Sequence, residues 1–250
     1  MNIGLYQNAS SLNALERWQD AVSQNITSSQ VTGYKRRTVQ VSGVNAGEML
    51  YDPTMRANQG EGLPAVSPQT RFGISFISGE NQPTGRELDF AISGDGFFAF
   101  RTPDGQTAYT RAGQFDVQAD HTLVTAGGMP VLSDSGNPIQ LQAAQGRSLV
   151  VNGDGTIRQG DAVVGHIGVF KAGQLSQLSS LSAGTFSAGP AADMKPVDSP
   201  AIQQGYLEAS NIAPLREMVD LVNISRAYEA NQKLIQSRDD AMQKTLDALS

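Results

Sequence analysis

The sequence predicts an α+β fold in which N- and C-terminal helices form a coiled-coil-like stem around a central antiparallel β-rich domain. Three observations predict it. Apolar residues recur at steps of three and four through the first and last stretches; short strand-like runs between turn dipeptides fill the middle; and the middle has too few helical windows for βαβ units. On this reading the chain divides into an N-terminal helix and junction at 1–37, an extended linker or long hairpin at 38–84, a β-rich domain at 85–204 and a C-terminal helix at 205–250.

The first helix carries Leu5, Asn8, Leu12, Leu15, Gln19, Val22 and Ile26 in a heptad-like series, and Thr27-Ser28-Ser29 followed by Gly33 ends it. In the last helix Ser210 or Asn211 can cap and Pro214 suits the first turn. Its series runs Met218, Leu221, Ser225, Tyr228, Gln232, Ile235, Asp239, Met242 and Leu246, with Leu215, Val219, Val222 and Leu234 on an adjoining stripe. At 1.5 Å per residue the stretch 212–249 spans about 57 Å, too long for the first helix to cover. Two readings of the polar interruptions stand side by side: a two-helix coil within one chain, or a helix packed on neighbouring copies. The expected assembly interface is Leu5, Leu12, Leu15, Val22 and Ile26 with Met218, Leu221, Val222, Tyr228, Ile235, Met242 and Leu246.

The middle is punctuated by Asp95-Gly96, Asp104-Gly105, Gly127-Gly128, Ser135-Gly136, Asn152-Gly153 and Asp154-Gly155. Strands are expected at 97–101, 108–111, 114–117, 122–125, 148–151 and 163–170, as hairpins of a small sandwich or barrel. Gly94, Gly96, Gly113, Gly127 and Gly128 are expected to serve turn geometry and not binding. The segment 183–201 reads as a return linker.

Chemistry is sparsely signalled. The net charge of −6 gives no field for nucleic acid, and the one basic cluster, Lys35-Arg36-Arg37, is too short to track phosphates. Without cysteine there is no thiol catalysis, disulfide or thiolate metal site. His121 and His166 lack suitably spaced carboxylate partners and read as structural. Gly94-Asp95-Gly96-Phe97-Phe98-Ala99 fits a loose dinucleotide pattern, but strand residues follow where a helix should begin. The N-terminus lacks the basic and apolar regions of a Sec signal, and no apolar run is long enough to span a bilayer. No catalytic residue, cofactor, metal, small-molecule substrate, nucleic acid or membrane insertion is therefore expected.

Specific strings add to this. Asn25, Ser28 and the run Thr32-Gly33-Tyr34-Lys35-Arg36 resemble the junction after the N-terminal helix of flagellar basal-body rod and hook proteins. LDFAISGDGFFAF at 88–100, YTRAGQFDV at 109–117 and LVTAGGMPVL at 123–132 resemble that family's β domain. GYLEASNIAPLREMVDLVNISRAYEANQKLIQSRDDAMQKTL at 205–246 is similar to the C-terminal helix of its FlgF and FlgG rod subunits and FlgE hook subunit. Two departures stand out: Asn25-Ile26-Thr27-Ser28 replaces Asn-Leu-Ala-Asn, and Ala119-Asp120-His121 occupies a turn where the family has Gly. The resemblance implies a structural subunit of the rod, polymerising through its terminal helices into a tube that transmits torque and forms the export channel. It also implies partners among its own copies and other rod and hook subunits, and passage through the flagellar type III export apparatus. Because hook subunits usually carry a further outer β domain, a rod subunit is favoured. A hook-type subunit and a non-flagellar secreted filament or adhesin subunit are the alternatives.

Overall fold

A computed structural model describes residues 3–45, 66–142, 149–182 and 184–247. The chain forms two compact units, one drawn from residues 1–26, 37–73 and 213–250, the other from 27–36 and 74–212.

The first unit contains α1 (Ile3–Thr27), the paired strands β1 (Arg37–Asn45) and β2 (Val66–Ile74), and α2 (Pro214–Asp247). Pro214 opens α2 at a position whose N–H would have no intrahelical partner, and its fixed φ suits the first turn. Glu217 lies in that first turn, where the helix dipole favours an anion, and Lys244 lies in the last. Along α1 the buried positions are Ala14, Ala21, Val22 and Asn25, with Leu12, Leu15, Trp18 and Ile26 half-buried and Gln19 exposed.

The second unit is built from strands. A six-stranded sheet has the order β13 (Leu178–Ser182), β14 (Thr185–Ala188), β6 (Thr107–Thr110), β5 (Phe97–Arg101), β12 (Val169–Ala172), β15 (Met194–Pro196). A three-stranded sheet runs β11 (Ala162–His166), β10 (Thr156–Gln159), β9 (Leu149–Val151). Three antiparallel pairs complete it: β4 (Phe90–Ile92) with β16 (Ile202–Gln204), β3 (Asn81–Pro83) with β17 (Tyr206–Glu208), and β7 (Phe115–Val117) with β8 (Leu123–Thr125). The run Phe97-Phe98-Ala99-Phe100 in β5 is buried at every position because the strand has a core on each face. Side chains alternate across a strand, so Phe98 joins Phe90, Phe115, Leu123 and Ile157 on one side. Phe97 and Ala99 join Tyr109, Leu178 and Phe186 on the other.

The expected α+β fold with a coiled-coil-like stem is corrected here. The chain is sheet-rich, with seventeen strands against two α-helices among the described residues, and the described residues of the helices do not make a clear coiled-coil stem. On α2, Leu215, Met218, Val219, Val222 and Leu234 are 80, 49, 59, 51 and 56% exposed. Its least exposed line passes through Glu217, Leu221, Ile224, Tyr228, Asn231 and Ile235. That line shares Leu221, Tyr228 and Ile235 with the expected series but replaces Met218, Ser225 and Gln232 by Glu217, Ile224 and Asn231. Either choice keeps alternating steps of four and three, so spacing alone could not separate them.

Strand readings were displaced for local reasons. The expected strand at 163–170 is two strands, broken at Ile167-Gly168, where Gly168 passes so close to Ser133 that a Cβ would come within 2.5 Å of its carbonyl carbon. The supposed return linker at 183–201 holds β14 and β15 of the large sheet. At the departure noted above, His121 closes its turn with φ 64°, a left-handed conformation that costs a residue bearing a Cβ about 1–2 kcal/mol. We expect His121→Gly to raise stability by about 1 kcal/mol, because the relieved strain exceeds the added freedom of the unfolded chain. Urea unfolding would read it as a higher midpoint at constant slope.

Candidate functional site

Charged side chains are seldom buried without partners, since leaving water costs several kcal/mol per ion. The second unit buries Lys35, Asp89, Arg111 and Glu208, and three of these, each from a different part of the sequence, form one cluster. Lys35 comes from the junction after α1, Arg111 follows β6, and Glu208 ends β17; they are 3, 3 and 1% exposed. The single carboxylate serves both cations. Lys35 Nζ lies 2.6 Å from Glu208 Oε1, and Arg111 Nη1 lies 3.1 Å from Oε2.

Backbone groups complete the network. Lys35 Nζ also donates to the carbonyl of Ile77 at 2.9 Å, and the N–H of Gly79 donates to Glu208 Oε1 at 2.9 Å. Arg111 donates to the carbonyls of Ile92 and Gly94 at 3.3 and 2.6 Å, and its guanidinium lies 5.5 Å from the ring centre of Phe97. The N–H of Gly33 donates to the Glu208 carbonyl at 2.8 Å. Gly33 has φ 68°, and a Cβ there would overlap the backbone nitrogen of Ala112, so only glycine brings the junction this close. Burial lowers the pKa values of Lys35 and Arg111 from their ordinary values, and Glu208 opposes the shift in both.

Asn211 works beside this cluster. Its Oδ1 accepts from the Arg36 N–H at 2.7 Å, and its Nδ2 donates to the carbonyls of Ser75 and Ile77 at 2.8 and 2.9 Å. The segment that leaves α1 is thereby tied to the segment that leads toward α2. In the first unit Asn25 plays a matching part. Its Oδ1 accepts the Arg37 N–H at 2.9 Å, and its Nδ2 donates to the Arg37 carbonyl at 2.9 Å and to Glu217 Oε2 at 3.0 Å. Asn25 and Glu217 are 0 and 1% exposed.

The residues expected to form an assembly interface are scattered in exposure. Val22 is buried; Leu12, Leu15, Ile26, Leu221, Tyr228 and Ile235 are half-buried; Met218 and Val222 are exposed. The side chains of Leu5, Met242 and Leu246 lie outside the described residues. Among the turn glycines, Gly94, Gly96 and Gly128 have φ of 108, 136 and 75°. Gly113 packs so tightly that a Cβ would overlap the Phe90 carbonyl, whereas Gly127 meets only the end of Met129 at 3.2 Å.

Sequence reasoning missed the ion cluster. Lys35 was weighed with Arg36 and Arg37 as a basic cluster too short to track phosphates, and neither Arg111 nor Glu208 was singled out. A signal was present: each resembling block carries a charge, positive in TGYKRR and YTRAG and negative in YLEASN. No groups of His, Asp and Glu suited to a metal occur among the described residues, and no helix among them is long and apolar enough to cross a membrane.

A buried ion cluster that joins three segments of the second unit, and a helix of the first unit with exposed apolar side chains, suit a structural protein that meets other proteins. Comparison with known proteins specifies which. Residues 91–159 match the model described as flagellar hook protein FlgE/F/G D1 domain, and 203–248 match flagellar basal body rod FlgEFG protein C-terminal. The chain is 32% identical to a flagellar basal-body rod protein FlgF of Caulobacter vibrioides, over 100% of this chain and 98% of the relative. A FlgF protein of Mesorhizobium japonicum is 33% identical over 100% of both chains, and a FlgG rod protein of Bacillus subtilis is 29% identical over 97% of both. The chain belongs to the flagellar basal-body rod protein family. It is a structural, non-enzymatic component of the flagellar basal body, where it assembles with other rod and hook subunits.

Proposed function

We propose that this chain is an axial rod subunit that polymerises by burying the first half of α2 against neighbouring subunits. The assembled helices would form a tube that transmits torque and surrounds the export channel. The supporting observation is the stripe of Leu215, Met218, Val219 and Val222, at steps that place all four on one side of the helix and all about half exposed or more. Apolar area of this kind gains roughly 25 cal/mol per Å² when covered, and head-to-tail repetition of such a contact yields an open helical array. The subunit reaches the rod through the flagellar type III export apparatus. Identities of 32–33% with FlgF proteins, against 27–30% with FlgG proteins, support a FlgF-type place within that role.

An epitope-tagged chain expressed in its own bacterium tests the proposal. Purified basal bodies should carry the tag on the rod in electron micrographs, and a strain lacking the chain should export no hook or filament. A tag found only in the soluble fraction, with flagella unaffected by the deletion, would refute it.

A further inference from the structure

We infer that Asn152, at the tip of the β9–β10 hairpin, is a site of spontaneous backbone modification. Its side-chain amide is lost by cyclisation onto the Gly153 nitrogen, leaving aspartate or isoaspartate. Nothing in this chemistry depends on assembly into a rod.

The reaction needs an Asn or Asp side chain whose carbonyl carbon can be reached by the backbone nitrogen of the next residue. A side chain on that next residue hinders the approach, so glycine is the permissive neighbour. The chain holds four such pairs: Asp95-Gly96, Asp104-Gly105, Asn152-Gly153 and Asp154-Gly155. Every other asparagine is followed by Ile, Ala, Gln or Pro. The three aspartate pairs are held back. Asp95 is ion-paired to Lys171 at 2.8 Å. Gly105 and Gly155 already donate their N–H groups to the carbonyls of Thr102 and Asn152, each at 2.9 Å. An ionised carboxylate is also a poorer electrophile than an amide.

Asn152-Gly153 has none of these restraints. Among the described residues, the Asn152 side chain makes no hydrogen bond and the Gly153 N–H meets no acceptor. Residues 152–154 are exposed. A Cβ at Gly153 would meet nothing nearer than the Ile202 carbonyl oxygen at 3.9 Å, so the ring has room to close. What resists closure is the turn itself. The Asn152 N–H donates to the Thr156 carbonyl at 3.0 Å, and the Asn152 carbonyl accepts from Gly155. An exposed hairpin tip opens at low cost.

The Gly153 nitrogen attacks Asn152 Cγ. A new N–C bond forms, the Cγ–Nδ2 bond breaks, and ammonia leaves with the proton that the nitrogen gave up. Water then opens the cyclic imide, and no electrons are transferred. Cleavage between the nitrogen and Cγ restores the original backbone with an aspartate. Cleavage between the nitrogen and the backbone carbonyl leaves the chain running through the side chain, as isoaspartate. That form lengthens the backbone by a methylene and displaces the Gly153 carbonyl, which accepts the Ile202 N–H at 2.8 Å. Ile202 opens β16, the partner of β4, so a change at the tip loosens the start of that pair. Isoaspartate also carries a free α-carboxylate, the group that an isoaspartyl methyltransferase esterifies with S-adenosylmethionine.

The test incubates the purified, folded, full-length chain in mildly alkaline buffer and digests samples with trypsin. Residues 148–158 are released as one peptide in which Asn152 is the only asparagine. That peptide should lose its amide before any other asparagine-containing peptide does. Fragmentation should place isoaspartate at position 152, and an isoaspartyl methyltransferase should transfer a labelled methyl group to it. Hydrogen exchange at the Ile202 N–H should quicken in the modified chain but not in Asn152→Asp, which adds the charge without lengthening the backbone. Asn152→Gln should abolish the mass change. An Asn152 amide that persists as long as those of the other asparagines would overturn the inference. So would a converted peptide that takes no label, or unchanged exchange at Ile202 in the modified chain.

Discussion

Glu208→Gln will destabilise the folded chain by about 3 kcal/mol, the order expected when one member of a buried ion pair is neutralised. The substitution keeps the shape of the side chain, so the loss is electrostatic and not a cavity. Lys35 and Arg111 stay buried, at 3% exposure each, with no anion among their hydrogen-bond partners. For a chain of this size the thermal midpoint should fall by roughly 6–12 °C. The loss will also depend on pH, and the sign can be worked out. Burial already lowers the folded-state pKa of Lys35, while its hydrogen bond and attraction to Glu208 raise it. Without the carboxylate the folded-state value drops further. Between that value and lysine's ordinary pKa the unfolded chain binds more protons, so stability rises with pH. Urea midpoints at about pH 7 and about pH 9.5 should therefore converge toward the wild type at the higher pH. A constant deficit would mean that Lys35 keeps its proton in the variant.

Val219→Asp combined with Val222→Asp will remove the chain from basal bodies without unfolding it. Both residues are more than half exposed, so the free protein should change by no more than about 0.5 kcal/mol for each substitution. Covering two valines in an assembled rod is worth about 1.5–3 kcal/mol each, and two desolvated carboxylates oppose it further, so incorporation should fall by roughly a hundredfold or more. Ile224→Asp provides the contrast. Ile224 is fully buried, and a charge there should unfold the first unit whether or not the rod assembles. Quantitative blotting of basal bodies beside circular dichroism of the free protein separates the two effects. Normal incorporation of the valine variant would exclude this face from the assembly.

What could be read from the sequence followed physical rules of short range. Turn dipeptides and apolar alternation located β5 at Phe97–Arg101 and placed β6, β7, β8 and β9 within a residue or so, because hairpins are set by local backbone preferences. Strands β13 and β14 were missed because serine, alanine and glycine dominate 178–188; what organises them is Phe186 docking under Phe76, more than a hundred residues away in the chain. The helical series on α2 was legible as a helix but not in phase. Burial follows tertiary neighbours, and Glu217 occupies the inner line because Asn25 meets it there. The ion cluster depends on three distant segments meeting, for which no periodicity exists. Gly33 and Gly113 were foreseeable as glycines, but not the close approaches that require them.

Because β5 walls off one oily compartment from the other, a breach on either side strips a neighbour from the strand that both depend on. Heat or mechanical load is therefore expected to open the two compartments together. For a part that would be loaded every time the motor turns, such a joint would resist creep, since a strand shared by both compartments disfavours half-loosened forms in which slow deformation could accumulate.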